Sequence, residues 1–302
     1  MLIEYNPNYY FFQFILHLLH KRYNKKNLKP KKEGIVKIAI QIGLLPGNTL
    51  EEKFYKAKEI GFEGIEVYGR DLLNDEKIVE KYKNLSKEMG IQISSICAGY
   101  RKFLLDPTHE ERQQSRNEIK KLLEFGNYLG VVGLILVPVF GSPKITDLSP
   151  YKNAFELEKE LLISQLPELV EKAEKEKCAL LLEPLNRYET HFMNRIEQGI
   201  ELCKRIKSEY LKTMADFFHM SIEEVDIARA IKKGGKLISH VHLADSNRIL
   251  PGMGHTDFKK GFKALKKIGY DKFLALECGV PEPKKENLDR CFHYLKNIIE
   301  TI

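Results

Sequence analysis

Four side chains of this 302-residue chain have the types and spacing of a divalent-metal site. Glu183 closes the run Ala179-Leu-Leu-Leu, and Asp216 closes Leu211-Lys-Thr-Met-Ala. His242 lies near the end of Ile238-Ser-His-Val, and Glu277 closes Phe273-Leu-Ala-Leu. Taken singly, an acid after an apolar run is ordinarily a helix cap, and a lone histidine is ordinarily a satisfied core residue. Together they ask for more, because three carboxylates in a partly dry place repel strongly, and a cation removes that repulsion. Three oxygens and one imidazole suit Mn(II), Mg(II) or Co(II), and also admit Zn(II). Further polar groups follow at short distance: Asn186, Arg187 and Glu189 after Glu183, His219 after Asp216, and Asp245, Ser246 and Arg248 after His242. The turn-rich Pro251-Gly-Met-Gly254 comes next. An arginine among them is placed either in a loop salt bridge or to hold a substrate hydroxyl, carbonyl or phosphate.

Such a set works only if the backbone gathers it. From Ile35 onward, short aliphatic runs alternate with longer amphipathic ones. The expected strands are 36–42, 64–68, 91–97, 131–139, 178–183, 211–216, 237–243 and 273–277. Helices are expected over 49–60, 75–89, 107–129, 154–176, 194–207, 221–233, 258–268 and 285–299, the first capped by Thr49. Eight strand–helix pairs with near-continuously apolar strands predict a parallel sheet buried on both faces, closed as a single-domain (β/α)8 (TIM) barrel. Gly61, Gly90, Gly130 and Gly269 stand where helix ends turn into the next strand. A doubly wound open sheet would want a Gly-rich phosphate loop, and Gly43-Leu-Leu-Pro-Gly47 lacks that spacing. The four ligand-type residues fall one strand–helix unit apart, so the barrel brings them to its C-terminal mouth.

The formal charge of +7 is unevenly placed. Residues 1–34 carry seven basic and two acidic side chains, which leaves only +2 for 35–302. Bulk charge therefore supports no nucleic-acid surface on the body. The N-terminal extension, expected to be helical or poorly ordered, runs from an aromatic and aliphatic stretch (Tyr9–Leu19) into the basic run Lys21–Lys32. It fits a membrane-surface helix, an arm on a neighbouring subunit, or an upstream misassigned start that matters little to the fold. Apolar residues nearly all round the helix weigh against the first. The apolar stretch is too short to span a bilayer, and it has neither the basic start nor the cleavage site of a signal peptide. Five scattered cysteines without Cys-x-x-Cys spacing point to a reducing compartment, hence the cytoplasm.

The motifs resemble a known group. Glu183-Pro-Leu-Asn-Arg-Tyr-Glu189, Asp216-Phe-Phe-His219-Met220, His240-Val-His242-Leu-Ala-Asp245-Ser246-Asn247-Arg248 and Pro251-Gly-Met-Gly254 with Asp257 are similar to those of the ketose 3-epimerases. These are the D-tagatose/D-psicose 3-epimerase group of the xylose-isomerase-like sugar phosphate isomerase/epimerase superfamily. The resemblance covers about 36–300, most strongly 180–280. It implies that Glu183, Asp216, His242 and Glu277 bind one divalent ion, Mn(II) or Co(II) in this family, and that Glu183 and Glu277 are the acid/base pair. It further implies that Glu189, His219 and Arg248 contact the O1–O3 end of the sugar, and that the chain forms dimers or tetramers. Glu66 and Cys97 stand at barrel-mouth positions as further candidates for substrate contact. The chemistry agrees: inverting carbon 3 of a ketose needs an acid or base on each face, and a cation that stabilises the enediolate.

Other enzymes of the same scaffold compete: aldose–ketose or hydroxypyruvate-type isomerases, and epimerases of ketose phosphates, for which Lys284 and Lys285 are candidate phosphate contacts. A remote rival is an endonuclease IV-like repair enzyme, whose three-zinc site needs histidines that Ser95-Ile-Cys97-Ala-Gly-Tyr100 and Val137-Pro-Val-Phe140-Gly do not supply. A non-catalytic scaffold would have no use for so costly a set.

Overall fold

The computed structural model describes residues 36–302. The extension 1–34, with its apolar and basic runs, lies outside the described residues. Eight parallel strands form a closed ring in chain order. They are β1 (Lys37–Gln41), β2 (Gly64–Tyr68), β3 (Gln92–Cys97), β4 (Gly133–Leu136), β5 (Ala179–Leu182), β6 (Leu211–Asp216), β7 (Ile238–Leu243) and β8 (Phe273–Leu276). β8 pairs with β1 to complete the ring. Ten helices surround it among the described residues: α1 (Leu50–Ile60), α2 (Gly69–Asn74), α3 (Lys77–Met89), α4 (His109–Leu129), α5 (Ala154–Glu176), α6 (Ile196–Ile206), α7 (Phe217–Glu223), α8 (Ile227–Gly234), α9 (Phe258–Lys267) and α10 (Lys284–Thr301).

Local chemistry sets these boundaries. Thr49 and Glu52 form a reciprocal capping box at the start of α1, and Asn153 and Glu156 do the same for α5. Gly61 after α1 (φ 108°) and Gly90 after α3 (φ 69°) take left-handed conformations, which a side chain would strain. Strand side chains such as Ile65, Val67, Leu180 and Leu182 are fully buried, as expected for a sheet covered on both faces.

Three details differ from the expected pattern. The helix expected over 75–89 is present as α3, and a short helix that the pattern does not announce, α2, precedes it and ends at the extended backbone of Asp75. The helix expected over 221–233 is two helices. Asp216 caps α7 through the His219 N–H, and Asp226 caps α8 through the Arg229 N–H. The fourth strand stops at Leu136 because the Val137 N–H goes to the Tyr100 hydroxyl (2.7 Å) instead of a ladder.

Two register shifts bear on the site. Ile65 pairs with Ile93 but Val67 with Ile96, and Thr213 pairs with Ile238 but Ala215 with Val241. β3 and β7 thus each carry one extra residue, a bulge that re-aims neighbouring side chains.

Candidate metal centre and active site

Each of the four ligand-type residues stands at or just past a strand end. Asp216 is the last residue of β6, His242 is in β7, and Glu183 and Glu277 follow β5 and β8 directly. The structure brings them together: one donor atom from each lies within 4.8 Å of the others. His242 Nδ1 is 3.2 Å from Glu183 Oε1, 3.1 Å from Glu277 Oε2 and 3.6 Å from Asp216 Oδ2. Glu183, Asp216 and His242 are buried, and Glu277 is the one open to the mouth, its side chain 20% exposed.

Whether a cation fits can be read from the donors themselves. Glu183 Oε1 and His242 Nδ1 are buried and make no hydrogen bond. A buried polar atom without a partner is rare and costly. His242 Nε2 is 3.0 Å from both oxygens of Glu66, so its proton belongs on that side and the Nδ1 lone pair faces the three carboxylates. Two orphaned donors facing two further carboxylates are what a hard or borderline divalent ion needs. Electrostatics point the same way. Burial pushes the Glu183 carboxyl above its ordinary range, with Glu277 and Asp216 adding to the rise against the pull of His242. Burial also works against ionised Asp216, but His219 and His242 outweigh it and hold that carboxyl at about 2. Burial works against a charged His242 imidazole, yet the Glu66 and Glu277 carboxylates raise it well above its usual value, so without an ion this anionic pocket draws a proton to Nδ1, where a cation would displace it.

Beside these four lies a polar shelf. His219 Nδ1 accepts from the Asn186 backbone N–H (3.1 Å) and faces its side-chain amide at 2.8 Å, which leaves the proton on Nε2. That Nε2 is buried, unpartnered and 3.9 Å from Asp216 Oδ2. Arg248 donates to Glu189 Oε1 (2.6 Å), stacks its guanidinium 4.6 Å over the Phe218 ring, and reaches to 3.8 Å from Glu277 Oε2. Asn186 also donates to Glu189 (2.9 Å). The loop carrying Arg248 is tied by Asp245, whose carboxylate accepts the backbone N–H groups of Ser246, Gly252 and Thr256.

Several candidates have other surroundings than the sequence leads one to expect. Glu66, expected at the mouth, is fully buried beneath the four residues, with both oxygens already engaged. Cys97 does border the mouth, its Sγ 3.9 Å from Glu277 Oε1. Arg187 is held in a two-pronged pair with Glu223. Lys285 pairs with Glu59 of α1 at 3.1 Å. Gln41, Ser95 and His240, to which the sequence alone assigns no role, all meet Glu66. Of the three, only His240 carries a signal, period two: it shares the inward face of β7 with His242.

Comparison with known proteins supplies a context for this geometry. The profile of the xylose isomerase-like TIM barrel family matches residues 54–298. The chain is 31% identical over 237 residues to a 3-dehydro-D-guloside 4-epimerase of Escherichia coli, covering 77% of this chain and 87% of that one. It is 38% identical over 115 residues to a D-psicose 3-epimerase of Enterocloster bolteae, covering 38% of each chain. A solved structure of a 3-keto-D-glucoside 4-epimerase from E. coli superposes with a TM-score of 0.78 at 28% identity, covering 87% of this chain and 99% of that one. Sequence and fold agree, and the chain belongs to the xylose isomerase-like TIM barrel family.

Proposed function

We propose that the barrel, residues 35–302, is a divalent-metal-dependent sugar epimerase that inverts carbon 3 of a ketose. The observation that carries this reading is the pair Glu183 and Glu277, each about 3 Å from His242 Nδ1 and standing three strands apart around the ring. A sugar seated between them meets a carboxyl group on two sides. One carboxylate takes the proton from the carbon next to the carbonyl, and the other returns a proton to the opposite face. Glu183, Asp216, His242 and Glu277 would hold the ion, Mn(II) or Co(II) in this reading. When bound, a divalent cation lowers the energy of negative charge on the carbonyl oxygen. Arg248 and Glu189, joined to each other, and the free Nε2–H of His219 supply donors and acceptors for the neighbouring hydroxyls.

Four carboxylates beside one guanidinium favour an unphosphorylated sugar, and Lys285 is already engaged with Glu59. Five free cysteines fit a cytoplasmic enzyme, and no described helix is long and apolar enough to cross a membrane. Exposed Leu148 and Tyr151 on the β4–α5 connection fit a homo-oligomer.

A second reading has its own support: the match to the 4-epimerase spans 77% of the chain. Inversion at carbon 4 beside a C3 ketone is the same proton exchange moved by one carbon. Assaying D-psicose and a 3-keto-D-glucoside with added Mn(II) separates the two. Turnover should fall by about 10²–10⁴-fold in both Glu183→Gln and Glu277→Gln. Full metal-dependent epimerisation in both variants would sink the acid/base assignment.

A further inference from the structure

Beneath the four residues lies a second polar layer, centred on Glu66. Its side chain has no exposed surface, and four donors converge on it. Ser95 Oγ donates to Oε2 at 2.6 Å, and His240 Nε2 lies 2.8 Å from the same oxygen. Gln41 Nε2 donates to Oε1 at 2.9 Å, and His242 Nε2 lies 3.0 Å from both oxygens. Nothing in this shell must act as an acceptor toward Glu66, so the cage fits an anion and keeps Glu66 charged. Gln41 spends its other proton on Glu277 Oε1 at 2.8 Å. One buried carboxylate is therefore linked to two of the four donors above it, directly to His242 and through Gln41 to Glu277.

The backbone is bent to build this layer. The extra residue in β3 sets the consecutive Ser94 and Ser95 opposite Glu66, with their hydroxyls 3.1 Å apart. The extra residue in β7 falls between Ile238 and Val241, next to His240. An ionised carboxylate in a barrel interior is unfavourable by several kcal/mol before its partners are counted. Aliphatic residues would fill the same place without that penalty.

We propose that Glu66 is a positioning residue for the metal centre. It holds the His242 proton on Nε2, aims the Nδ1 lone pair at Glu183, Asp216 and Glu277, and through Gln41 fixes the Glu277 carboxylate. This rests on the metal reading given above. Glu66 acts through His242 and Gln41 and touches neither sugar nor ion.

The test is calorimetric titration of Mn(II) into the full-length apoprotein, freed of metal by chelation. Wild type should take up one ion per chain; no uptake overturns the metal reading itself before any variant is made. Glu66→Gln keeps the shape and removes the charge. Its Kd should weaken by about 10–100-fold, while the thermal midpoint of the apo form stays at or above wild type. Glu66→Asp, which restores the carboxylate, should bind more tightly than Glu66→Gln. A Kd within twofold of wild type, or a lowered apo midpoint as the sole effect, would make Glu66 a structural residue only. Should Glu66→Gln fail to fold, Ser95→Ala and Gln41→Leu decide. Weakened Mn(II) binding with a near-normal apo midpoint in either supports the proposal, and unchanged binding in both overturns it.

Discussion

Arg248 shows how much one side chain can be asked to do. It is paired with Glu189, laid over Phe218 and held in a left-handed backbone conformation (φ 58°) at the rim. A planar, always-charged group suits both the pairing and the stacking, and lysine reproduces neither. Arg248→Lys should therefore raise KM by about tenfold with a smaller effect on kcat, checked by steady-state kinetics on the best ketose. The four ligand-type residues were legible in the sequence because each breaks an aliphatic run with a charge, one structural unit from the next. Glu66 was legible as a strand acid but its depth was not, since only the sheet register tells a rim residue from one a layer below. Gln41 and Ser95 carry no spacing signal at all. A neutral polar residue in a strand reads the same whether it meets water or a buried carboxylate.

The loops after the strands are held by small polar knots. Arg187 after β5 grips Glu223 of α7 through its guanidinium and through its backbone N–H (2.7 Å). The Arg187 hydrogen bond holds the Glu223 carboxyl below its ordinary range, against partial burial. A folded-state value below the unfolded one stabilises above the ordinary carboxylate range and is lost as pH falls through it. Glu223→Gln should thus lose about 1 kcal/mol at pH 7, the exposure of Arg187 keeping the figure small. Its deficit should shrink toward zero below about pH 4, as denaturant melts at both pH values would show. Another knot leaves no room for a methyl group: a Cβ on Gly254 would lie 2.3 Å from Asp245 Oδ1 and 2.7 Å from Ser246 Oγ. Gly254→Ala should destabilise by about 1–3 kcal/mol and raise KM through the displaced Arg248 loop, measurable by urea melts beside kinetics. The barrel itself was legible from the alternation of eight strand–helix pairs. The division of 217–234 into two helices was not, because Asp216 and Asp226 act as caps only once neighbouring backbone amides are in place.

Across the whole molecule, most of the formal +7 sits in residues 1–34, and the barrel concentrates its consequential charge at one end. An ion that binds the folded chain alone must stabilise it by mass action, by about 2.7 kcal/mol at a hundredfold excess over Kd. Chelation should lower the thermal midpoint by about 5–10 °C, and Mn(II) should restore it. A scanning calorimeter trace unmoved by either would deny that the barrel end holds a cation. The ring closes β1 on β8, and the Gln41–Glu277 bond joins residues 236 positions apart. A chain still being synthesised, with seven strands complete, has Glu183, Asp216 and His242 but lacks Glu277 and the strand that closes the ring. On the proposed metal reading, a chain cut before Glu277 lacks one of the four donors and should bind Mn(II) more weakly than the full-length chain.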